Sequence, residues 1–265
     1  MGQVERSISA DGVVIYVSPL LRELDVPHAF STRIGGVSPA PFDSLNLGNP
    51  SGCDVRDTSE RIRQNYRLLL RAAGCEGREL LAVHQVHGGG VVRVTSGRAH
   101  DNDTKADALV SDDPARVLSV RVADCVPVLL STSDGSAVAA IHAGWRGVVA
   151  GVAITALEML RSHGNHVVAA IGPSIGFEAF EVGREVIEEF TRLFGPDAPI
   201  RQDTDGKGRV DLRECLRRQL IAAGVPDDRI DCSDRCTHTD ADEFFSHRRD
   251  KGISGRMAAV IAPRA

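Results

Sequence analysis

Hydrophobic and polar positions alternate in short runs along most of this chain. Alternation and β-rich runs predict strands at 13–17, 80–84, 91–94, 117–122, 126–130, 167–171, 209–211 and 257–261. Ser133-Asp134-Gly135-Ser136 has the composition of a hairpin turn, leading into a further strand at 137–142. Elsewhere the period lengthens. Ile62, Tyr66 and Leu69 fall on one helical face, and Gly74 suits that helix's C-terminal end. Asp57-Thr58-Ser59-Glu60 and Asp211-Leu212-Arg213-Glu214 each set a capping acid three residues before a glutamate, so each is expected to open a helix. Two more helices are predicted at 147–162 and 184–193, stopping before Gly164 and Gly195. Loops are expected at 35–49, 100–104 and 202–208.

Many strands, often joined by hairpins, with helices inserted between them, point to a mixed α+β layered domain rather than a doubly wound βαβ sheet. The 265 residues show no repeat, low-complexity tract or long linker. They read as one domain over 1–265, long enough to bury a substantial core.

Composition narrows the function. A net charge of −5 gives no electrostatic reason to expect nucleic acid or an anionic membrane. The start of the chain lacks the apolar run of a secretory signal. Gly2 invites a myristoylation reading, but Arg6 stands where Ser or Thr is needed. No apolar stretch approaches membrane-spanning length, so a cytoplasmic protein is expected. Cysteines at 53, 75, 125, 215, 232 and 236 are too sparse for a disulfide scaffold and are expected as free thiols. Cys232 and Cys236 lack the spacing of a zinc knuckle and read as structural.

Motifs for dinucleotides and nucleoside triphosphates are missing, as is His-Glu-x-x-His. Three segments could bring metal ligands together. His87 follows a predicted strand, Cys125 lies between two, and His142 joins a strand to a helix. Two imidazoles and a thiolate could form a tripod with an open fourth position, where bound water has a pKa of about 7. The spacings are too long for a local motif, and each residue alone also reads as a satisfied core or loop side chain. Gly172-Pro173-Ser174-Ile175-Gly176 matches the G-x-S-x-G nucleophile elbow, but no obvious helix follows it. Arg33, beside Gly35 and Gly36, suits either a phosphate clamp or a structural ion pair.

Several segments together resemble one family. In order they include His28-Ala29-Phe30-Ser31-Thr32-Arg33-Ile34-Gly35-Gly36, Ser44-Leu45-Asn46-Leu47-Gly48, Gln85-Val86-His87-Gly88, Ala106-Asp107-Ala108, Ala123-Asp124-Cys125, His142-Ala143-Gly144-Trp145-Arg146-Gly147, Gly172–Gly176, Cys236-Thr237 and Phe244-Phe245-Ser246-His247-Arg248-Arg249. The set resembles the YfiH-like family, long filed as multicopper polyphenol oxidoreductases and since described as purine nucleoside phosphorylases with adenosine deaminase activity. The likeness spans about 28–261. It implies a layered α/β/β/α sandwich related to the catalytic domain of cytotoxic necrotising factor toxins. It also implies zinc, with copper as the alternative, held by His87, Cys125 and His142. Many relatives carry a cysteine shortly after the Gly172–Gly176 loop, where this chain has Phe177 and Glu178.

The activity so implied is phosphorolysis of adenosine, inosine or methylthioadenosine and deamination of adenosine. Small-molecule nucleoside and phosphate are the expected partners, with a monomer or homodimer as the assembly. Deamination follows from the site's chemistry: activated water attacks C6 of adenine, and Asp124 or Asp107 moves the proton to departing ammonia. Phosphorolysis needs positive charge around phosphate, for which Arg33 and Arg146, with Asn46 alongside, are the candidates. Two other chemistries stay open. Cys125 could be the nucleophile of a hydrolase or amidase acting on a cell-wall precursor, with His142 or His87 as base. A copper-dependent polyphenol oxidase is the other. Four coppers, however, require several His-x-His pairs, and the nine histidines here form none.

Overall fold

Strand after strand in this chain sends alternate side chains into two different cores. Val138 and Ala140 face one, while Ala139, Ile141 and Ala143 face the other. The computed structural model describes residues 2–203 and 206–265. Met1 and positions 204 and 205, the middle of the loop expected at 202–208, lie outside the described residues.

The larger sheet has seven strands. Its order is Gly2–Gln3, Ile230–Cys232, Val167–Ile171, Val126–Thr132, Val138–Ala143, Ala108–Ser111 and Val91–Val94. The second has six, ordered Glu5–Ile8, Val14–Val17, His28–Ser31, Met257–Ile261, Arg116–Val122 and Glu79–Leu81. Antiparallel pairs dominate, with parallel pairs toward the edges. A small third sheet joins Glu181–Val182, Gly208–Val210 and Ile200–Gln202.

The two large sheets pack face to face. Leu109, Leu129 and Val168 from one interdigitate with Phe30, Leu118 and Ile261 from the other. On the outer face of the seven-stranded sheet, Val128 and Ile141 share one core with Leu157 of helix Val152–Arg161, Phe190 of helix Arg184–Phe194 and Leu216 of helix Leu212–Ala222. On the outer face of the six-stranded sheet, Val117 and Val260 meet Leu69 of helix Ser59–Ala72. The result is the α/β/β/α sandwich that the resemblance implies, as layers of helix, sheet, sheet and helix.

Several local expectations shift. The helix expected at 147–162 is two, Trp145–Val149 and Val152–Arg161, because Gly151 between them takes a left-handed φ of 72°. Asp211 caps its helix as expected, its side chain accepting the Glu214 N–H. Asp57 does not. Thr58 caps instead, while the buried Asp57 carboxylate accepts from Ser38 and Asn46. The strand expected at 80–84 closes at Leu81, and His84 makes only an isolated bridge to Lys105. All six cysteines are free.

Candidate active site

Residues 123–125 carry the chain from the six-stranded sheet into the seven-stranded one. Asp124 makes that turn at φ 90°, a conformation costly for a non-glycine residue and one that needs support from its surroundings. Its carboxylate supplies the support: Oδ1 accepts from the Thr237 hydroxyl at 2.7 Å and Oδ2 from the Arg248 N–H at 2.7 Å. Its carbonyl accepts the Ile175 N–H at 2.9 Å. One residue thus ties together three loops and presents Cys125 next to it.

His142 belongs to strand Val138–Ala143 and is buried. His87 sits in the loop after Leu81, again at positive φ, 60°. The ligand atoms of His87, Cys125 and His142 all lie within 4.8 Å of one another. The two imidazoles meet edge to face, with centroids 4.8 Å apart. Asp107, fully buried, organises both. Its Oδ1 contacts His142 Nδ1 at 2.8 Å and accepts the His87 N–H at 2.8 Å. Its Oδ2 accepts the Gly88 N–H at 2.6 Å.

These residues fit a metal ion. With Nδ1 of His142 held by a carboxylate, Nε2 is the nitrogen left for a metal, the usual carboxylate–histidine arrangement around zinc. Gly144 leaves the necessary room. A Cβ there would lie 3.0 Å from Cys125 Sγ and 3.3 Å from His87 Cδ2. Burial pushes the Cys125 thiol up, but His142 and His87 outweigh it and bring the group down to about 6. Burial likewise opposes charge on His142, yet Cys125 and Asp107 raise it to about 9. Without metal, each group therefore favours the charged form of the other.

The cluster opens into a cavity of about 520 Å³. Trp145, Ile175, Phe180 and Leu212 give it apolar wall. Arg121, Arg146, Arg248 and Arg256 give it four cationic side chains. Asp124 also lines it, and so do His84 and His247. Arg146 stacks on Trp145 at 4.2 Å, and Arg248 lies 5.5 Å from the centre of the Phe180 ring.

Arg33 and Asn46 are placed elsewhere. Arg33 stacks on Phe245 and gives its hydrogen bonds to the Asp43 carbonyl and carboxylate and to the Ala241 carbonyl. That is the structural ion-pair reading, and Arg33 does not line the cavity beside the His87–Cys125–His142 cluster. Asn46 is fully buried, its Oδ1 accepting the N–H groups of Gly48 and Arg256. Arg121 and His247 were not singled out by sequence reasoning. A charged residue inside the apolar run 117–122 was the available signal for the first. The G-x-S-x-G segment is no elbow, because Ser174 is fully buried with its hydroxyl unpartnered and only a short 3-10 turn, Phe177–Ala179, follows.

The family model described as multi-copper polyphenol oxidoreductase laccase matches residues 27–264. The chain belongs to this family. A relative from Escherichia coli (strain K12), named purine nucleoside phosphorylase YfiH, is 39% identical over 231 residues, 87% of this chain and 91% of its own. Another from Bacteroides thetaiotaomicron, named purine nucleoside phosphorylase, is 36% identical over 269 residues, covering 96% and 98%. Among solved structures, YlmD from Geobacillus stearothermophilus superposes with a TM-score of 0.86 at 32% identity, covering 98% of this chain and 99% of that one. The family description names copper, while the curated relatives are named for nucleoside chemistry. Among the described residues His87, Cys125 and His142 form one candidate metal cluster, not the several that a four-copper oxidase requires.

Proposed function

We propose that this protein is a zinc-dependent purine nucleoside phosphorylase that also deaminates adenosine. The observation that carries the reading is a single cavity that joins the His87–Cys125–His142 cluster, an apolar and aromatic wall, and four arginines. The names of the relatives supply the reaction class. Zinc held by these three residues would supply Lewis acidity and water of lowered pKa.

The chain's own residues account for the rest. Trp145 and Phe180 offer flat apolar surface to a purine. The arginines hold phosphate and offset its charge as an oxygen bonds to C1′ of the ribose. The C1′–N9 bond breaks, its electron pair leaves with the purine, and the base gains a proton. Both aspartates suit positioning better than proton transfer, since donors already occupy their oxygens. His247 lines the cavity with an imidazole that makes no hydrogen bond among the described residues, and it suits the proton-holding role.

Adenosine, inosine and methylthioadenosine are the proposed substrates. Incubation of zinc-loaded protein with inosine tests phosphorolysis alone. Hypoxanthine and ribose 1-phosphate should form only when phosphate is present. Inosine formed from adenosine without phosphate tests the deaminase branch separately.

One observation favours a second reading. The lowered Cys125 thiol beside His142 also fits a hydrolase nucleophile. A tightly held zinc with an alkylation-resistant Cys125 excludes it, because a ligated thiolate is not free to attack.

A further inference from the structure

Arg121 and Arg256 lie on adjacent antiparallel strands or at their edge. The register pairs Ala258 with Arg121, so Arg256, two residues earlier, projects from the same face on the diagonal. Gly48 lies against both. A Cβ there would meet Arg121 Cδ at 3.0 Å and Arg256 Cβ at 3.6 Å. The backbone of Arg121 is held on both sides by one side chain, with Gln85 Oε1 accepting its N–H at 2.8 Å and Gln85 Nε2 donating to its carbonyl at 2.7 Å. Asn46 holds the Arg256 N–H in the same manner, at 3.0 Å.

No carboxylate pairs with either guanidinium among the described residues. Arg256 donates only to the carbonyls of Ser254 and Gly255 and to the Ser254 hydroxyl. Arg121 has no side-chain hydrogen bond. Burial and the Arg121 charge both disfavour charge on Arg256, and Asp124 opposes them. Two cations fixed side by side in a cavity wall, with no carboxylate in direct contact among the described residues, leave their donors available to an anion. Guanidinium geometry suits a tetrahedral oxyanion, which each fork can grip with two hydrogen bonds.

We infer that Arg121 and Arg256 form the oxyanion corner of the cavity and that its occupant is free orthophosphate. The co-substrate role of that phosphate rests on the phosphorolytic reading above; the binding does not. Gly48, Gln85 and Asn46 act as positioning residues, and Gln85 couples this corner to the loop that carries His87.

Calorimetric titration of orthophosphate into the full-length zinc protein tests binding without any nucleoside. Arg121→Gln should weaken it about 10- to 100-fold, the range for losing charge-assisted hydrogen bonds. Gly48→Ala should weaken it by pushing Arg121 aside, and Arg121→Lys should restore part of the loss. In turnover, Arg121→Gln should raise the phosphate KM while the nucleoside KM holds. Phosphate bound by the wild type and lost in these variants, without any phosphate-dependent cleavage, would uphold the site and defeat only the phosphorylase reading. Phosphate-dependent cleavage with an unchanged phosphate KM in both Arg121→Gln and Gly48→Ala would overturn the site. So would binding of adenosine 5′-monophosphate through this corner with none of orthophosphate.

Discussion

One oxygen of Asp107 contacts both histidines of the candidate metal cluster: Oδ1 lies 2.8 Å from His142 Nδ1 and 2.8 Å from the His87 backbone nitrogen. One fully buried carboxylate therefore sets the ring orientation of one ligand and the loop position of another. Losing such an outer partner typically lowers metal affinity about 10- to 100-fold. Asp107→Asn should show that loss in a competition with a chromophoric zinc chelator. A variant that binds zinc as tightly as the wild type would remove Asp107 from the account.

Gly144 tests the same site by volume. Its Cβ would stand 3.0 Å from the Cys125 sulfur, so the sulfur must shift by a few tenths of an ångström. Gly144→Ala should keep a native circular dichroism spectrum and lose stoichiometric zinc. Retained zinc would mean that the three side chains do not converge on an ion.

The metal-free protein makes a prediction about pH. A thiol lowered to about 6 is largely thiolate at neutral pH, where a free cysteine is mostly protonated. Alkylation of Cys125 by iodoacetamide after zinc removal should rise through pH 6 and then level. The sign follows from the direction of the shift: the reactive anion is lost as pH falls through the lowered value. Zinc should suppress the reaction. A midpoint near the ordinary thiol value would contradict the coupling to His142.

Ser174 separates a structural loop from a hydrolase elbow. Its hydroxyl is fully buried and has no hydrogen-bond partner. An unmet buried polar group costs about 1–3 kcal/mol, so Ser174→Ala should leave the protein as stable or more so. Thermal melting reads the stability, and nucleoside turnover should persist. Abolished turnover in a well-folded variant would restore Ser174 as a candidate nucleophile.

Long periodic segments were legible from sequence because burial alone dictates them. Ile62, Tyr66 and Leu69 announce a helix face, and the run from Val126 announces a strand between two layers. Short edge strands were not legible. Gly2–Gln3 has two residues and takes its structure from pairing with Ile230–Cys232. The five-residue helix Pro19–Glu23 is likewise too short to carry a period. Asp57 and Thr58 are adjacent and both capable of capping, and only the tertiary demand for a carboxylate at Ser38 and Asn46 decides between them. At the site, the family resemblance pointed to His87, Cys125 and His142, whereas their convergence depends on strand pairing across the whole sandwich. Arg33 suited either phosphate or an ion pair by its glycines, and the fold turns it away from the cavity toward nearby carbonyls and the Asp43 carboxylate.

Mass-spectrometric product analysis tests the central claim most directly. Zinc-loaded protein is incubated with adenosine, with and without phosphate, alongside Cys125→Ala. The account predicts phosphate-dependent adenine, together with inosine and hypoxanthine, all lost in the variant. Adenosine surviving intact under every condition, with zinc bound stoichiometrically, would contradict it.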